Sequence, residues 1–249
     1  MAVAVDADHW TALVNKRITL LCGRYTYFPK EFSDLRVRWH LDRDLPLLKP
    51  RYNIAPSQEA PVIINVDGVR SIELFQWGLV PWWAKDPSSG NQSINARAET
   101  LATRASFKDL IGKQRCLVLA DGFYEWRKEG KRKVPMRFKL KTDEPFAFAG
   151  LWDSWKKPDG KRLQTFTIIT TEPNEVLRPI HDRMPVMLND VAALDWLDHN
   201  EGNLSRVLSV LEPFPAELME GYDVSPLVND PHNDSPECVA PYEEPARLL

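Results

Sequence analysis

Along the middle of the chain the apolar positions fall in short runs of strand length instead of recurring at helical spacing. Residues 60–66, 71–75, 115–119, 135–140, 146–152 and 165–170 are each rich in Val, Ile, Phe and Thr and are bounded by turn-forming residues. Asp67-Gly68 and Asp159-Gly160 lie between paired runs, where an Asp-Gly step closes a tight hairpin. Helical spacing is confined to 29–39, 99–110, 172–180, 191–198 and 204–210. Strands and helices do not alternate regularly, which excludes a doubly wound parallel sheet. The pattern predicts an α+β single domain with a curled, mostly antiparallel, barrel-like sheet and peripheral helices. The 20 prolines are scattered and no repeat or linker interrupts the pattern. After Pro213 the chain reads as coil with one short strand over 237–240.

Composition adds little to that picture until charge is divided along the chain. With 249 residues, 43% hydrophobic and 27% charged, the sequence has enough apolar side chains for a real core. The net charge of -3 conceals an acidic end: from Glu212 onward the balance is -8, so the preceding body carries +5 and could accept a polyanion. A solvated charged surface would give the same count. Three widely spaced cysteines, Cys22, Cys116 and Cys238, fit neither a disulfide framework nor a zinc site. No cofactor or metal is expected, and a reducing compartment is. No apolar run reaches the length of a membrane span, and Asp6, Asp8 and His9 interrupt the early apolar residues as a secretory leader would not. Cytoplasmic location, nucleoid-associated in a bacterium, and a monomer are the expectations.

Four polar blocks hold the candidate chemistry. Cys22-Gly23-Arg24 offers a thiol, Asn95-Ala96-Arg97-Ala98-Glu99-Thr100 an amide, Gly122-Phe123-Tyr124-Glu125-Trp126 a carboxylate, and Ile180-His181-Asp182-Arg183-Met184-Pro185 an imidazole. Taken singly, each has a plain structural reading. A lone cysteine is usually a small buried hydrophobe, and a histidine after a helix can simply cap it. Strand alternation would put Glu125 on the face opposite Tyr124 and Trp126, toward solvent or toward a pocket. Arg97 follows Asn95, and Arg183 follows His181, at a spacing of two. An extended segment puts such pairs on one side, and a guanidinium fork matches phosphate. In Trp77-Gly78-Leu79-Val80-Pro81-Trp82-Trp83, Trp77 reads as core. Trp82 and Trp83 follow a proline and precede a polar loop, which predicts a surface position for at least one of them and a platform for unpaired bases. The basic run from Arg127 to Lys133 reads as a soluble hairpin tip.

In order along the chain, Cys22-Gly23-Arg24, Arg51-Tyr52-Asn53-Ile54-Ala55-Pro56, Trp77 to Trp82, Asn95 to Thr100, Gly122 to Trp126 and Ile180 to Pro185 resemble the SRAP family, the SOS-response-associated peptidases. The resemblance implies a protein that binds single-stranded DNA at abasic sites and joins to it through an amino-terminal cysteine as a thiazolidine. It implies that Asn95 orients Cys22, that Glu125 handles the proton at the sugar ring oxygen, and that His181 assists proton transfer and reversal. Arg24, Arg97 and Arg183 would then hold phosphates, while Pro56 and Trp82 would bend the strand and stop continuous duplex. One departure stands out: twenty-one residues precede Cys22, whose nitrogen is therefore an amide. Residues 1–21 are accordingly expected to be missing from the mature protein, through a start at Leu21 or through removal, leaving a domain over 22–241 and a tail over 242–249. The alternatives are a cysteine peptidase acting on itself, with Cys22 as thiolate, His181 as base and Asn95 as orienter, and a non-catalytic single-strand binder.

Overall fold

The structure, a computed structural model, describes residues 23–29, 34–198 and 204–243, without the side chains at 34, 91 and 92. Cys22, the segment 1–21 and the last residues of the tail lie outside the described residues.

Five long strands build the core. β3 (Glu59–Val66), β6 (Arg115–Ala120), β9 (Phe146–Lys156) and β10 (Arg162–Thr171) are buried along most of their length, and β4 (Val69–Trp77) alternates between buried and partly exposed positions. β3 pairs with β4 and β6, β6 with β9, β9 with β10, and β10 with β4. That last pairing closes a ring, and it is parallel where the others in the ring are antiparallel. Closure removes the free edges that a curled sheet would otherwise expose. Asp67 and Gly68 turn β3 into β4 with φ of 53° and 83°, as the Asp-Gly step predicts.

A second sheet wraps one side in the order β13-β8-β7-β1-β2. Its strands are β1 (Tyr25–Tyr27), β2 (Arg51–Ile54), β7 (Gly122–Glu129), β8 (Arg132–Leu140) and β13 (Met219–Asp223). Tyr25, Phe123, Phe138 and Phe148 stack between the sheets, with ring centroids 5.5–6.0 Å apart. A buried polar cluster pins this sheet beneath them. Arg137 donates to Asp121 Oδ1 at 2.9 Å and to the Asp121 carbonyl at 3.1 Å, and Thr26 and the Phe28 N–H donate to the same carboxylate. Burial pushes the Asp121 carboxyl above the usual carboxylate range, and Arg137 and these donors oppose it. Gly122 is required here, because a Cβ would stand 2.7 Å from the Arg137 guanidinium.

Four short elements complete the ring's rim: β5 (Asn95–Arg97), β11 (Met184–Pro185), β12 (Met187–Leu188) and helix α2 (Asp190–Leu197). Asn189 caps α2 by accepting from the Ala192 N–H at 2.9 Å. Arg115, buried in β6, donates to the carbonyls of Trp196 and Asp198 where α2 ends, so a cation closes the negative end of the helix dipole. Among the described residues the remaining α-helices are α1 (Asp34–Arg38) and α3 (Leu204–Ser209).

Three expectations from the sequence are revised. Over 99–110 there is no α-helix: a 3-10 turn at Ala98–Thr100 leads into irregular turns, in which Thr100 and Thr103 hydroxyls bond the Arg97 and Thr100 carbonyls. Such local bonds compete with helical ones. Over 172–180 successive turns form instead of an α-helix: Asn174 Oδ1 accepts from Val176 and Leu177 N–H groups, and Pro179 supplies no N–H between the Arg178–Asn174 and His181–Leu177 backbone bonds. In the carboxy-terminal segment the strand is Met219–Asp223, paired with β8, whereas Pro236–Cys238 is a 3-10 turn.

Candidate nucleic-acid site

Strand β10 organises one half of the site. Its register sets Ile168 against Asn95 and Thr170 against Arg97 on the edge shared with β4. The opposite edge sets Thr170 against Pro185 and Thr171 against Met184. The Asn95 and Ile180–Pro185 blocks, more than eighty residues apart in sequence, thus flank the same end of one strand. Alternation along β5 leaves Asn95 half-buried, Ala96 buried and Arg97 exposed.

Arg183 crosses that strand end. Its guanidinium grips Glu99 through both oxygens, at 2.8 and 2.9 Å, and donates to the Thr170 carbonyl at 2.6 Å. The Arg183 side chain is 12% exposed and the Glu99 side chain 55%, so the pair shows its carboxylate outward. The hydrogen bond from Arg183 holds the Glu99 carboxyl below its usual pKa. Beside it, His181 Nδ1 accepts the Arg183 N–H at 3.1 Å and lies 2.9 Å from Asp182 Oδ1. One Nδ1 cannot do both in one protonation state. Neutral, with its proton on Nε2, the ring accepts from Arg183; protonated, it pairs with Asp182. Nδ1 has a protein partner in either state. Nε2 bonds no described residue, which leaves it for a substrate.

The second half is the β1–β7 pair within the five-stranded sheet. Tyr25 pairs with Phe123 and Thr26 with Gly122, and the Tyr124 N–H bonds the Arg24 carbonyl at 2.9 Å. One further step of that register sets Gly23, which follows Cys22 in sequence, against Glu125. Glu125 is 2% exposed, so the choice left open by alternation resolves to the interior. Arg24 turns away from these groups: Nη1 donates to Asn53 Oδ1 and the Val228 carbonyl, both at 2.8 Å, and its guanidinium lies 5.9 Å from the Trp126 ring. Desolvation lowers its pKa from the usual value.

Trp77 ties the halves together. Its Nε1 donates to the carbonyl of Ile94, next to Asn95, at 2.8 Å, and Tyr25 meets its ring edge-on at 5.2 Å. Gly78 follows with φ of 119°, and a Cβ there would stand 2.8 Å from the Gly90 carbonyl oxygen. Trp77 is fully buried, whereas Trp82 and Trp83 are 67% and 52% exposed. Pro56 sits half-buried at the turn into β3, where the Ser57 N–H bonds the Trp77 carbonyl. Among the described residues no cluster of three or more His, Cys, Asp or Glu could hold a metal.

Two contributors were not legible as such. Glu99 lies within a recognised block, but its partner Arg183 is 84 positions away. Asn53 holds the carbonyls of Val228, Asp230 and Asn233 at 2.7–3.2 Å besides accepting from Arg24, so the 51–56 block clamps the carboxy-terminal loop beside the site.

A closed α+β barrel flanked by a second sheet, with an imidazole and an arginine at one end of β10 and a buried carboxyl group on β7, carries the groups that a site for an anionic substrate needs. The family model described as SOS response associated peptidase (SRAP) matches residues 21–231, and the chain belongs to that family. It is 46% identical over 222 residues to the abasic site processing protein YoqW of Bacillus subtilis (strain 168), covering 88% of this chain and 99% of that protein. It is 31% identical over 246 residues to the abasic site processing protein HMCES of Xenopus tropicalis, covering 86% of this chain and 72% of that protein. The crystal structure of a protein from Bacteroides thetaiotaomicron superposes with a TM-score of 0.79 at 28% identity, over 89% of this chain and all of that one.

Proposed function

We propose that this chain processes abasic sites in single-stranded DNA by capturing them covalently through Cys22 once that residue is amino-terminal. The observation that carries the reading is that β1, which begins three residues after Cys22 in sequence, pairs with β7, whose Glu125 carboxyl group is buried. The relatives' names add the substrate.

The open-chain sugar of an abasic site carries an aldehyde. The α-amine of Cys22 attacks its carbon, the oxygen leaves as water, and a Schiff base forms; the thiol then adds across the C=N bond, its proton passes to nitrogen, and a five-membered thiazolidine closes. An α-amine titrates near pH 7.7–8.0, so a useful fraction is nucleophilic at neutral pH, whereas an amide nitrogen is not. Mature protein therefore begins at Cys22, without residues 1–21. Glu125 delivers the proton that opens the sugar ring and His181 Nε2 shuttles protons during dehydration and reversal. Asn95 orients Cys22. Arg97 and Arg183 hold phosphates, and Arg24, anchored on Asn53, supports the strand that leads to the cysteine. Pro56 and Trp82 bend the DNA.

Protein beginning at Cys22 is expected to gain the mass of an abasic oligonucleotide less one water, in a denaturant-resistant product, and to leave intact DNA unmodified. Cys22→Ala removes the product. Full-length chain with Met1 in place that still formed the thiazolidine would overturn the requirement for an amino-terminal cysteine, and an alanine variant giving an equally stable adduct would overturn the thiol's part.

A further inference from the structure

We infer that the basic β9–β10 hairpin, which extends beyond the exposed Trp82-Trp83 loop, is a second contact for the DNA strand, several nucleotides away from the captured sugar. The inference rests on the proposed function and adds the path of the flanking strand.

β10 serves as a ruler. Asn95 stands opposite Ile168, the Val80 N–H bonds Thr165 Oγ1 at 2.9 Å, and the Trp82 N–H bonds Asp153 Oδ2 at 2.8 Å, where Asp153 is the partner of Thr165. The hairpin tip begins at Arg162, paired with Lys156. From Ile168 to Arg162 is six residues, about 20 Å at strand rise. A stacked strand covers that length in about six nucleotides and a stretched one in fewer.

Two observations at the tip point to a polyanion. Trp82 and Trp83 present large apolar surface to solvent, although the loop that carries them is fixed by the Asp153 bond and by Trp155 Nε1 donating to the Ala84 carbonyl at 2.7 Å. A firmly held exposed indole is a stacking platform, worth roughly 1–3 kcal/mol per base. Next to them Lys85, Lys156, Lys157, Lys161 and Arg162 form no ion pair with any described residue. The nearby carboxylates are engaged with backbone: Asp153 with Trp82 and Ser154, Asp159 with the Lys161 N–H, Asp86 with the Ser88 N–H. Elsewhere on the surface Arg127, Lys139 and Arg206 each hold a carboxylate at 2.6–2.8 Å.

The β7–β8 tip supplies an internal control. It carries Lys128, Lys131 and Lys133 but no exposed tryptophan, and its arginines pair with Glu129 and Asp223. If net charge alone mattered, the two tips would be equivalent.

The test measures reversible binding to oligonucleotides holding a stable abasic analogue without the aldehyde. One is short, and two are extended by about eight nucleotides, on the 5′ side only or on the 3′ side only, to exceed the ruler's span. Combined Lys156→Gln, Lys157→Gln and Lys161→Gln is expected to abolish the affinity gained from one of the two extensions. It should lower the log–log salt slope on that oligonucleotide by roughly 2, at about 0.7 per lost phosphate contact. Binding to the short oligonucleotide is expected to match that of the parent, which also shows that the variant is folded. Lys128→Gln, Lys131→Gln and Lys133→Gln should change none of these. Equal loss on both extensions, loss on neither, or the same loss from the control substitutions would overturn the inference. Capture of an aldehyde-bearing abasic site is a separate readout: a side-specific length effect without any adduct would leave the hairpin contact standing and remove the proposed chemistry.

Discussion

Arg24 and Arg183 enter the site from different sheets, and their partners set them apart. Arg24 is held by a neutral amide and a carbonyl and is desolvated; Arg183 is held by a carboxylate that remains half in water. A phosphate arriving at Arg183 can replace Glu99 and keep the same bidentate geometry. No such exchange is open at the Arg24 Nη1, whose partners are a side-chain amide oxygen and a backbone carbonyl inside the clamp formed with the carboxy-terminal loop. The five-stranded side is built to stay, around Asp121, Arg137 and Asn53, while the β10 side is built to trade partners. A site that must hold a reacting cysteine in place and still admit a long charged strand needs both.

Substitution of Glu125 should produce the largest effect. Glu125→Gln keeps shape and removes the proton donor, so adduct formation should slow by about 10²–10⁴-fold while reversible binding of abasic DNA stays near the parent value. Single-turnover capture kinetics beside equilibrium binding check this. Equal losses in both would assign Glu125 to the framework instead of the chemistry.

The rigid side is tested by Arg137→Met. Removing the guanidinium strands the Asp121 carboxylate at 7% exposure, and breaking a buried pair in this way costs about 3–5 kcal/mol. Denaturant unfolding should show that loss as a lower midpoint. Asn53→Ala follows at about 1–3 kcal/mol, the penalty for leaving buried carbonyls without a donor. It should also make residues 226–238 sensitive to limited proteolysis. A stable Arg137→Met variant would mean that the five-stranded side is less committed than its hydrogen bonds imply.

How much of this was legible in the sequence follows the same division. Every long barrel strand was located, 60–66 nearly in full against Glu59–Val66 and 165–170 as the buried part of Arg162–Thr171, because buried strand segments carry their own apolar signature. β5, β11 and β12 have two or three residues each, and neighbours define them, so no periodicity announces them. The helices expected over 99–110 and 172–180 failed where Thr and Asn side chains took over the backbone bonds. In the site, spacing put Asn95 and Arg97 on one extended segment, and Pro81 with the polar loop put at least one of Trp82 and Trp83 outside, where both are found. The closing of Arg183 on Glu99 and of Asn53 on the loop at 228–233 joins residues 84 to 180 positions apart, and a single sequence holds no trace of either.

The smallest expected effect is the one that most sharpens the contrast between the two arginines. If Glu99 holds the place of a phosphate on Arg183, Glu99→Gln should tighten reversible binding of single-stranded DNA by a few-fold, since an exposed pair is worth about 0.2–1 kcal/mol. Acidity should do the same to the parent. Arg183 lowers the Glu99 pKa from its usual 4.5, so the pair's contribution to folding is present above that value and is lost as pH falls through the lowered one. In that window below about pH 4.5 protonation frees Arg183, and DNA binding should gain a component that Glu99→Gln lacks. Arg24, with no carboxylate on Nη1, offers nothing comparable: Asn53→Asp would install one there and should weaken binding and loop packing together. A Glu99→Gln variant with unchanged affinity and an unchanged acid limb would place the phosphate elsewhere and leave Arg183 as a structural brace across the end of β10.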